Sequence, residues 1–317
     1  MTDSTRAEAL IVGSEGQDAQ FLASAINRRG LNVLKLSKSG LSLNERKMLD
    51  IQNVDQKVLE QKIEHSAVNQ IYFTAANSFP AGKRNTQYDS NFNEKNFAIE
   101  KLLEDCLESA QNSGRKIKFV YFSSALRFGD LQSTIDENSK TSPDEPYGIH
   151  KVKCERTVQT FAESNSNIEY VIPIFFNHTS HLSKPNFLLK KITSAIRNHD
   201  TPWLRQQLLI EEENPTYIDI GFAREYMETL VVLAQSKEQG LFVFSTGITL
   251  PVSFFFQAGL RIIEGMNHYE LPHTTKAPYT ADYGKLRSAL KLPFGHFSYG
   301  FDILESVLKM EQLSEAF

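Results

Sequence analysis

The chain has 317 residues, 41% of them hydrophobic, and its 34 basic against 38 acidic side chains leave a formal net charge of -4. That length suits one large or two modest domains with a sizeable core. The balanced charge lacks the electrostatic footprint of a nucleic-acid binder, and no stretch reaches the ~18 apolar residues of a membrane helix, so neither nucleic acid nor membrane is expected as a partner.

The first seven residues are polar and charged with no apolar signal region behind them, and are expected to form a loose arm. ALIVG at 9–13 reads as a buried strand. QDAQFLASAINRRG at 17–30 carries apolar residues at helical spacing and stops at Gly30. LNVLKLS at 31–37 is a second strand, DQKVLEQKIEH at 55–65 a helix, and NQIYFTA at 69–75 a strand. A long helix follows over 93–114, then the strand IKFVYFSS at 117–124, a helix over 145–164 and the strand IEYVIPIFF at 168–176. Apolar strands alternating with amphipathic helices predict an α/β fold, a Rossmann-type doubly wound parallel sheet. Beyond Asn177 the rhythm loosens. Proline, charge clusters and EEEN at 211–214 read as insertions, GLFVFST at 240–246 as one more strand of the sheet, and Phe254, Phe255 and Phe256 as buried packing of a second lobe. The expected division is a nucleotide-binding domain over 1–176 and a smaller, mainly substrate-binding lobe over 177–317. Cys106 and Cys154 both fall in helical patterns and offer neither a disulfide framework nor metal-ligand spacing, so no metal is expected, and a reducing cytoplasm is the expected setting.

Gly13, Gly16 and Ala19 form a G-x-x-G-x-x-A spacing between the first strand and first helix. Glycines there let backbone N–H groups approach a pyrophosphate, and the helix N-terminus adds partial positive charge, with Gln17 and Asp18 opening the helix. The same residues could make a tight turn without a ligand, and Glu15 would repel a diphosphate unless it points away. At the end of the second strand, Ser37 and Lys38 stand where an acid would bind a ribose 2′-hydroxyl. A hydroxyl and a cation suit a 2′-phosphate, which favours NADP over NAD, although Lys38 could equally be a solvated loop lysine.

In EPYGIHKVK, Tyr147 and Lys151 are four apart and so share a helix face. An ammonium beside a phenol is expected to favour phenolate, which can exchange a proton with a hydroxyl while hydride moves between the same carbon and nicotinamide. A lone Tyr-x-x-x-Lys is most often a helix surface pair. Here Ser123 and Ser124 end the preceding strand and could hold the same hydroxyl.

Taken together, these motifs resemble the extended short-chain dehydrogenases that modify nucleotide sugars, and within them the GDP-mannose 4,6-dehydratases. The resemblance runs nearly end to end, through ALIVGSEGQDAQFLA, LDIQNVDQKVLEQKI, IYFTAANS, FSSALRFGD, PYGIHK, FFNHTS…NFLLKKI, STGITLPVSFF and DYGKLRSAL. It implies adenine contact by Asp50 with Ile51 beside it, and further cofactor contacts from Ala75, Ala76, Asn93, Tyr147 and Lys151. It also implies that the chain after residue 176 lines a sugar-nucleotide cleft, with Asn177, Asn186 and Lys191 as substrate contacts. Without the resemblance, Lys190 and Lys191 read as a solvated helix face, and His178 and His181 as loop residues. Pairing through the helices near 96–113 and 147–163 is implied as well, giving a homodimer, with a tetramer as the alternative.

Three departures stand out. Where the resembled dehydratases carry Thr, then Ser or Asp, then the Glu that removes the C5 proton, this chain has Ser124, Ala125 and Leu126. Ile218 replaces an arginine, and SHLSKP at 180–185 replaces a paired-arginine loop of the tetramers. The expected activity is therefore hydride transfer at C4 of a GDP-hexose, by a 4-keto reductase or 4-epimerase with Ser124, Tyr147 and Lys151 as its catalytic residues. The alternatives are a dehydratase that recruits another base, such as Glu15, Glu137 or a histidine, and a non-catalytic cofactor-binding homologue.

Overall fold

The computed structural model describes residues 8–37, 40–43, 56–76, 92–266 and 277–315. The arm at 1–7 and Lys38, Asp50 and Ile51 lie outside the described residues. The chain begins with β1 (Ala9–Val12), α1 (Gln17–Asn27), β2 (Val33–Ser37), β3 (Gly40–Leu43), α2 (Gln56–His65), β4 (Gln70–Phe73) and α3 (Phe92–Asn112). Next come β5 (Ile117–Tyr121), β6 (Ser123–Ser124), a 3-10 turn (Ala125–Phe128), β7 (Ser133–Ile135), α4 (Pro146–Ser164), β8 (Ile168–Phe175), β9 (Asn177–Thr179), α5 (Leu188–Arg197) and α6 (Thr201–Glu213). The remainder is β10 (Tyr217–Phe222), α7 (Ala223–Gln235), β11 (Gly240–Phe244), β12 (Thr249–Pro251), α8 (Val252–Ile263), β13 (Tyr279–Ala281), α9 (Gly284–Leu290) and α10 (Phe301–Glu315).

Two compact units emerge. The first holds residues 1–130, 140–174 and 227–242, the second 131–139, 175–226 and 243–317. In the first, the main sheet runs in the order β11-β8-β5-β4-β1-β2-β3, and β6 pairs with β8. β1 lies parallel to β2 and to β4, β4 to β5, and β5 to β8. Only buried strands covered on both faces can be apolar at successive positions, as Ala9, Leu10, Ile11 and Val12 are. Leu22 and Ile26 of α1, Leu103 and Leu107 of α3 and Val158 of α4 are fully or almost fully buried. β3, antiparallel to β2, ends the sheet beyond the strands found by periodicity.

The second unit contains the three-stranded sheet β12-β10-β9 and the two-stranded sheet β13-β7. Its core gathers Leu189 and Ile192 of α5, Leu204 of α6, Phe254, Phe255 and Phe256 of α8 and Ile303 and Leu304 of α10. The acidic run at 211–213 is the last turn of α6, closed by Asn214, rather than an inserted loop. Asp200 caps the other end, accepting from the Trp203 N–H at 3.1 Å.

Candidate active site

The order of the parallel strands reverses at β1, with β2 on one side and β4 on the other, and ligands of open α/β sheets bind beyond the carboxyl ends at such a point. Gly13 follows β1 there with φ +95°, and a Cβ on it would lie 2.6 Å from the Ala75 nitrogen. Only glycine fits this approach. Thr74 secures it, donating its hydroxyl to the Val12 and Gly13 carbonyls at 2.9 Å each. Gly16 is the N-cap of α1 and meets no atom within 4 Å of its would-be Cβ. A glycine has no side chain with which to satisfy the first-turn N–H groups of α1, which suits a diphosphate anion. Gln17 and Asp18 are partly buried in that first turn, and Glu15 is exposed. Ala75 is partly buried and Ala76 exposed beyond β4, and Asn93 is exposed at the start of α3. Ser37 ends β2.

The second part of the site forms where β5 and β6 meet α4. Pro146 starts α4 after a Glu145 N-cap that makes no side-chain cap bond. Gly148 lets the first turn of α4 approach the 3-10 turn, because a Cβ there would sit 2.6 Å from the Leu126 carbonyl oxygen. Tyr147 and Lys151 project from one face of α4. Lys151 is 2% exposed, and its Nζ donates to the Phe122 carbonyl at 2.7 Å. The ammonium lies 5.1 Å from the Tyr121 ring centroid and 5.6 Å from that of Tyr147. Burial pushes Lys151 down to about 8, while Cys154, Glu155 and Asp18 oppose the shift.

Tyr147 differs from expectation in one respect. Its phenol is raised above the ordinary tyrosine value, first by desolvation and then by the Asp18 carboxylate. Lys151 sits over the phenol ring and commits a proton to Phe122, so in the protein alone Tyr147 stays a phenol. Asp18, at the glycine turn, thus acts electrostatically on both Tyr147 and Lys151, which ties the two halves of the site together within the first unit.

The two serines separate. Ser123 is buried and donates to Glu155. Ser124 is partly exposed, and its oxygen caps the 3-10 turn by accepting from the Leu126 N–H at 3.3 Å. That acceptance leaves the hydroxyl proton available to a ligand. Leu126 is partly buried on the same turn.

Reasoning from sequence missed Glu155, which is 1% exposed on α4 and also paired to Arg127, with Nε 3.3 Å from Oε2. Its signal was the four-residue spacing itself, since Tyr147, Lys151 and Glu155 recur on one face. In the second unit, Asn177 on β9, Asn186 before α5 and Lys191 on α5 are all exposed. Lys190 is not a solvated neighbour of Lys191. It pairs with buried Glu311 and donates to the His181 carbonyl at 3.1 Å. Glu137 accepts from the Val243 N–H at 2.7 Å. Among the described residues no group of three or more His, Cys, Asp or Glu could hold a metal, no helix is long and apolar enough to cross a membrane, and Cys106 and Cys154 are buried thiols.

A glycine turn at the switch point with a Tyr-x-x-x-Lys helix beside the next strands defines a class, the extended short-chain dehydrogenases. Structural comparison agrees at the level of fold. A UDP-N-acetylglucosamine 4-epimerase from Methanobrevibacter ruminantium M1 superposes with a TM-score of 0.72 at 17% identity, covering 98% of this chain and 99% of that one. A UDP-glucuronic acid 4-epimerase from Bacillus cereus, solved with UDP-glucuronic acid and NAD, gives 0.70 at 16% identity over 97% and 99%. Sequence comparison is more specific. Residues 10–276 match the family described as GDP-mannose 4,6 dehydratase, and the chain belongs to this family of nucleotide-sugar enzymes. A GDP-mannose 4,6-dehydratase of Sinorhizobium fredii (strain HH103) is 27% identical over 278 residues, 81% of this chain and 76% of its own.

Proposed function

We propose that the protein transfers hydride reversibly at C4 of a hexose carried on a nucleoside diphosphate, GDP by family, as a 4-keto reductase or 4-epimerase. The observation that carries this reading is Leu126 on the turn after Ser124, beside an intact Ser124, Tyr147 and Lys151. An aliphatic side chain there cannot remove the C5 proton that dehydration requires. A nicotinamide dinucleotide, when bound, supplies and accepts the hydride. Gly13, Gly16, Gln17, Asp18, Ala75, Ala76 and Asn93 would hold it, with Ser37 and Lys38 favouring NADP over NAD and Asp50 and Ile51 contacting adenine.

In the reductive direction, the Tyr147 phenol donates its proton to the C4 oxygen and the Lys151 ammonium steadies the charge left behind. Ser124 donates to the same oxygen and orients it. In the oxidative direction, Tyr147 takes the proton back. A phenol held protonated by its surroundings suits the first direction. Asn177, Asn186 and Lys191 are proposed to contact the sugar nucleotide.

Incubation with a panel of GDP-hexoses and NADP(H), with products identified by mass, tests the reaction. Interconversion at C4 with no loss of water is expected; rapid formation from GDP-mannose of a product lighter by one water overturns the reading. Titration by intrinsic fluorescence is expected to show tighter binding of NADPH than NADH, and equal or reversed affinities overturn the 2′-phosphate assignment. A homodimer through α3 and α4 is also proposed. What supports it is Phe97, 69% exposed on α3, Ile149, 52% exposed on α4, and a groove of about 860 Å³ whose walls include Ile149, Val152 and Phe161. Sedimentation of wild type against Phe97→Glu decides between dimer and monomer.

A further inference from the structure

Glu155 and Arg127 form a buried ion pair that the proposed chemistry does not use. Arg127 is 7% and Glu155 1% exposed, and Arg127 is further tied through Nη2 to the Thr141 hydroxyl at 2.8 Å. Apolar residues of similar volume usually serve stability as well as such a pair or better, so its presence calls for another explanation. Two features of its position supply one. Its carboxylate accepts from Ser123, which lies between Phe122, the carbonyl partner of Lys151, and Ser124. It also stands one helical turn beyond Lys151, on the same face of α4.

We infer that Glu155 is a positioning residue, which fastens the end of β5 and β6 to α4 and provides a counter-charge for the buried Lys151 ammonium. Fastening fixes Phe122 and Ser124 relative to Lys151 and Tyr147. The counter-charge works with Asp18 from α1 against burial, while Cys154 and His150 of α4 are pushed by burial towards a neutral thiol and a neutral imidazole. Tyr121 from β5 and Tyr147 from α4 present neutral rings to the same ammonium. Burial pushes the Glu155 carboxyl upward, and Arg127, the Ser123 bond and Lys151 pull it back. Arg127 is the largest of these opposing influences, which explains why a second buried charge accompanies the first.

The consequence for rate rests on the hydride-transfer reading, but the protonation of Lys151 can be measured without turnover. The protein labelled at lysine Cε with ¹³C is titrated by NMR, with the Lys151 resonance assigned by its loss in Lys151→Met. In Glu155→Gln, which keeps an acceptor for Ser123 but not the charge, the Lys151 midpoint is expected to fall by roughly half a unit or more. Glu155→Asp, which keeps the charge, is expected to stay nearer wild type. Because Glu155→Gln leaves Arg127 buried without its partner and could unfold, Arg127→Leu/Glu155→Gln removes both charges and carries the same test. An unchanged Lys151 midpoint with a lowered melting temperature overturns the inference and leaves Glu155 a purely structural residue. A shifted midpoint in a protein that turns over no nucleotide sugar upholds the inference and sinks the hydride-transfer reading instead.

Discussion

Replacing Lys151 with Met should end turnover and, at neutral pH, stabilise the fold. Lys151 is 2% exposed and its ammonium is held at about 8, against an ordinary lysine value of 10.5, with burial as the leading cause. Since the folded value is the lower one, the unfolded chain binds more protons between about pH 8 and 10.5, and wild-type stability rises with pH across that window. Below pH 8 the full cost of the buried charge is present, and 10.5 − 8 units corresponds to roughly 3 kcal/mol. Met is close to lysine in length and carries no charge, so the substitution relieves that cost. Against it stands the Phe122 carbonyl, which loses the Nζ donor at 2.7 Å, a loss of about 1–3 kcal/mol if nothing replaces it. The net expectation at pH 7 is a gain of about 0–2 kcal/mol. At pH 9.5 only about 1 kcal/mol of the burial cost remains, so the gain should shrink or reverse. Urea unfolding of both proteins at the two pH values measures this, and subtracting variant from wild type removes groups that titrate alike in each. A difference that does not change between pH 7 and 9.5 refutes the reasoning, because it means that Lys151 is not desolvated in the folded protein.

Three further outcomes are expected. Tyr147→Phe should keep the fold and dinucleotide affinity while slowing turnover of an identified substrate by ~10²–10⁴-fold, and steady-state kinetics beside a binding titration checks it. Asp219→Asn should lose about 1–3 kcal/mol in urea unfolding at pH 5, because its amide nitrogen would confront the Gly247 N–H, whose proton a carboxyl oxygen now accepts at 3.0 Å. Burial raises Asp219 to about 7 from an ordinary 3.8, so the folded state holds the extra proton between those values, wild-type stability falls as pH rises through them, and the deficit of the variant should narrow from pH 4 to 7. Leu126→Glu should lose water from GDP-mannose faster than the wild type, visible by mass, and absence of any gain would mean that Leu126 is not the one group missing.

Whatever depended on uninterrupted hydrophobic periodicity could be read from the chain. ALIV and the apolar core of IKFVY are buried strands because nothing else accommodates successive apolar side chains over so short a run. The four-residue spacing of Tyr147 and Lys151 likewise placed them on one helix face. Strands of three residues did not announce themselves. β7 exists because Ser133, Thr134 and Ile135 pair with Tyr279, Thr280 and Ala281, partners nearly 150 positions away that no local pattern could suggest. Adjacent look-alikes were equally opaque. Lys190 turns toward Glu311 whereas Lys191 is exposed, and Ser123 is buried against Glu155 whereas Ser124 is partly exposed, and these choices are made by tertiary partners rather than by residue type.

The same distinction bears on the proposed reading, in which the chain has the residues for hydride transfer without a base for elimination. A base for C5 must be near the sugar, basic at working pH and not committed elsewhere. Near the 3-10 turn, the Glu155 carboxylate is buried and already engaged by Ser123 and Arg127. Glu137 spends its Oε1 on the Val243 N–H at the end of a strand, so freeing it would leave a backbone donor to find a new acceptor. Hydride transfer makes a smaller demand. It needs one proton to travel along one hydroxyl, and a Tyr147 phenol that its surroundings keep protonated, next to an ammonium balanced near neutrality, is already able to give that proton and recover it. On this reading, position 126 separates the two chemistries: with a carboxylate the site could continue from C4 to C5, and with leucine the reaction ends where it began, at C4.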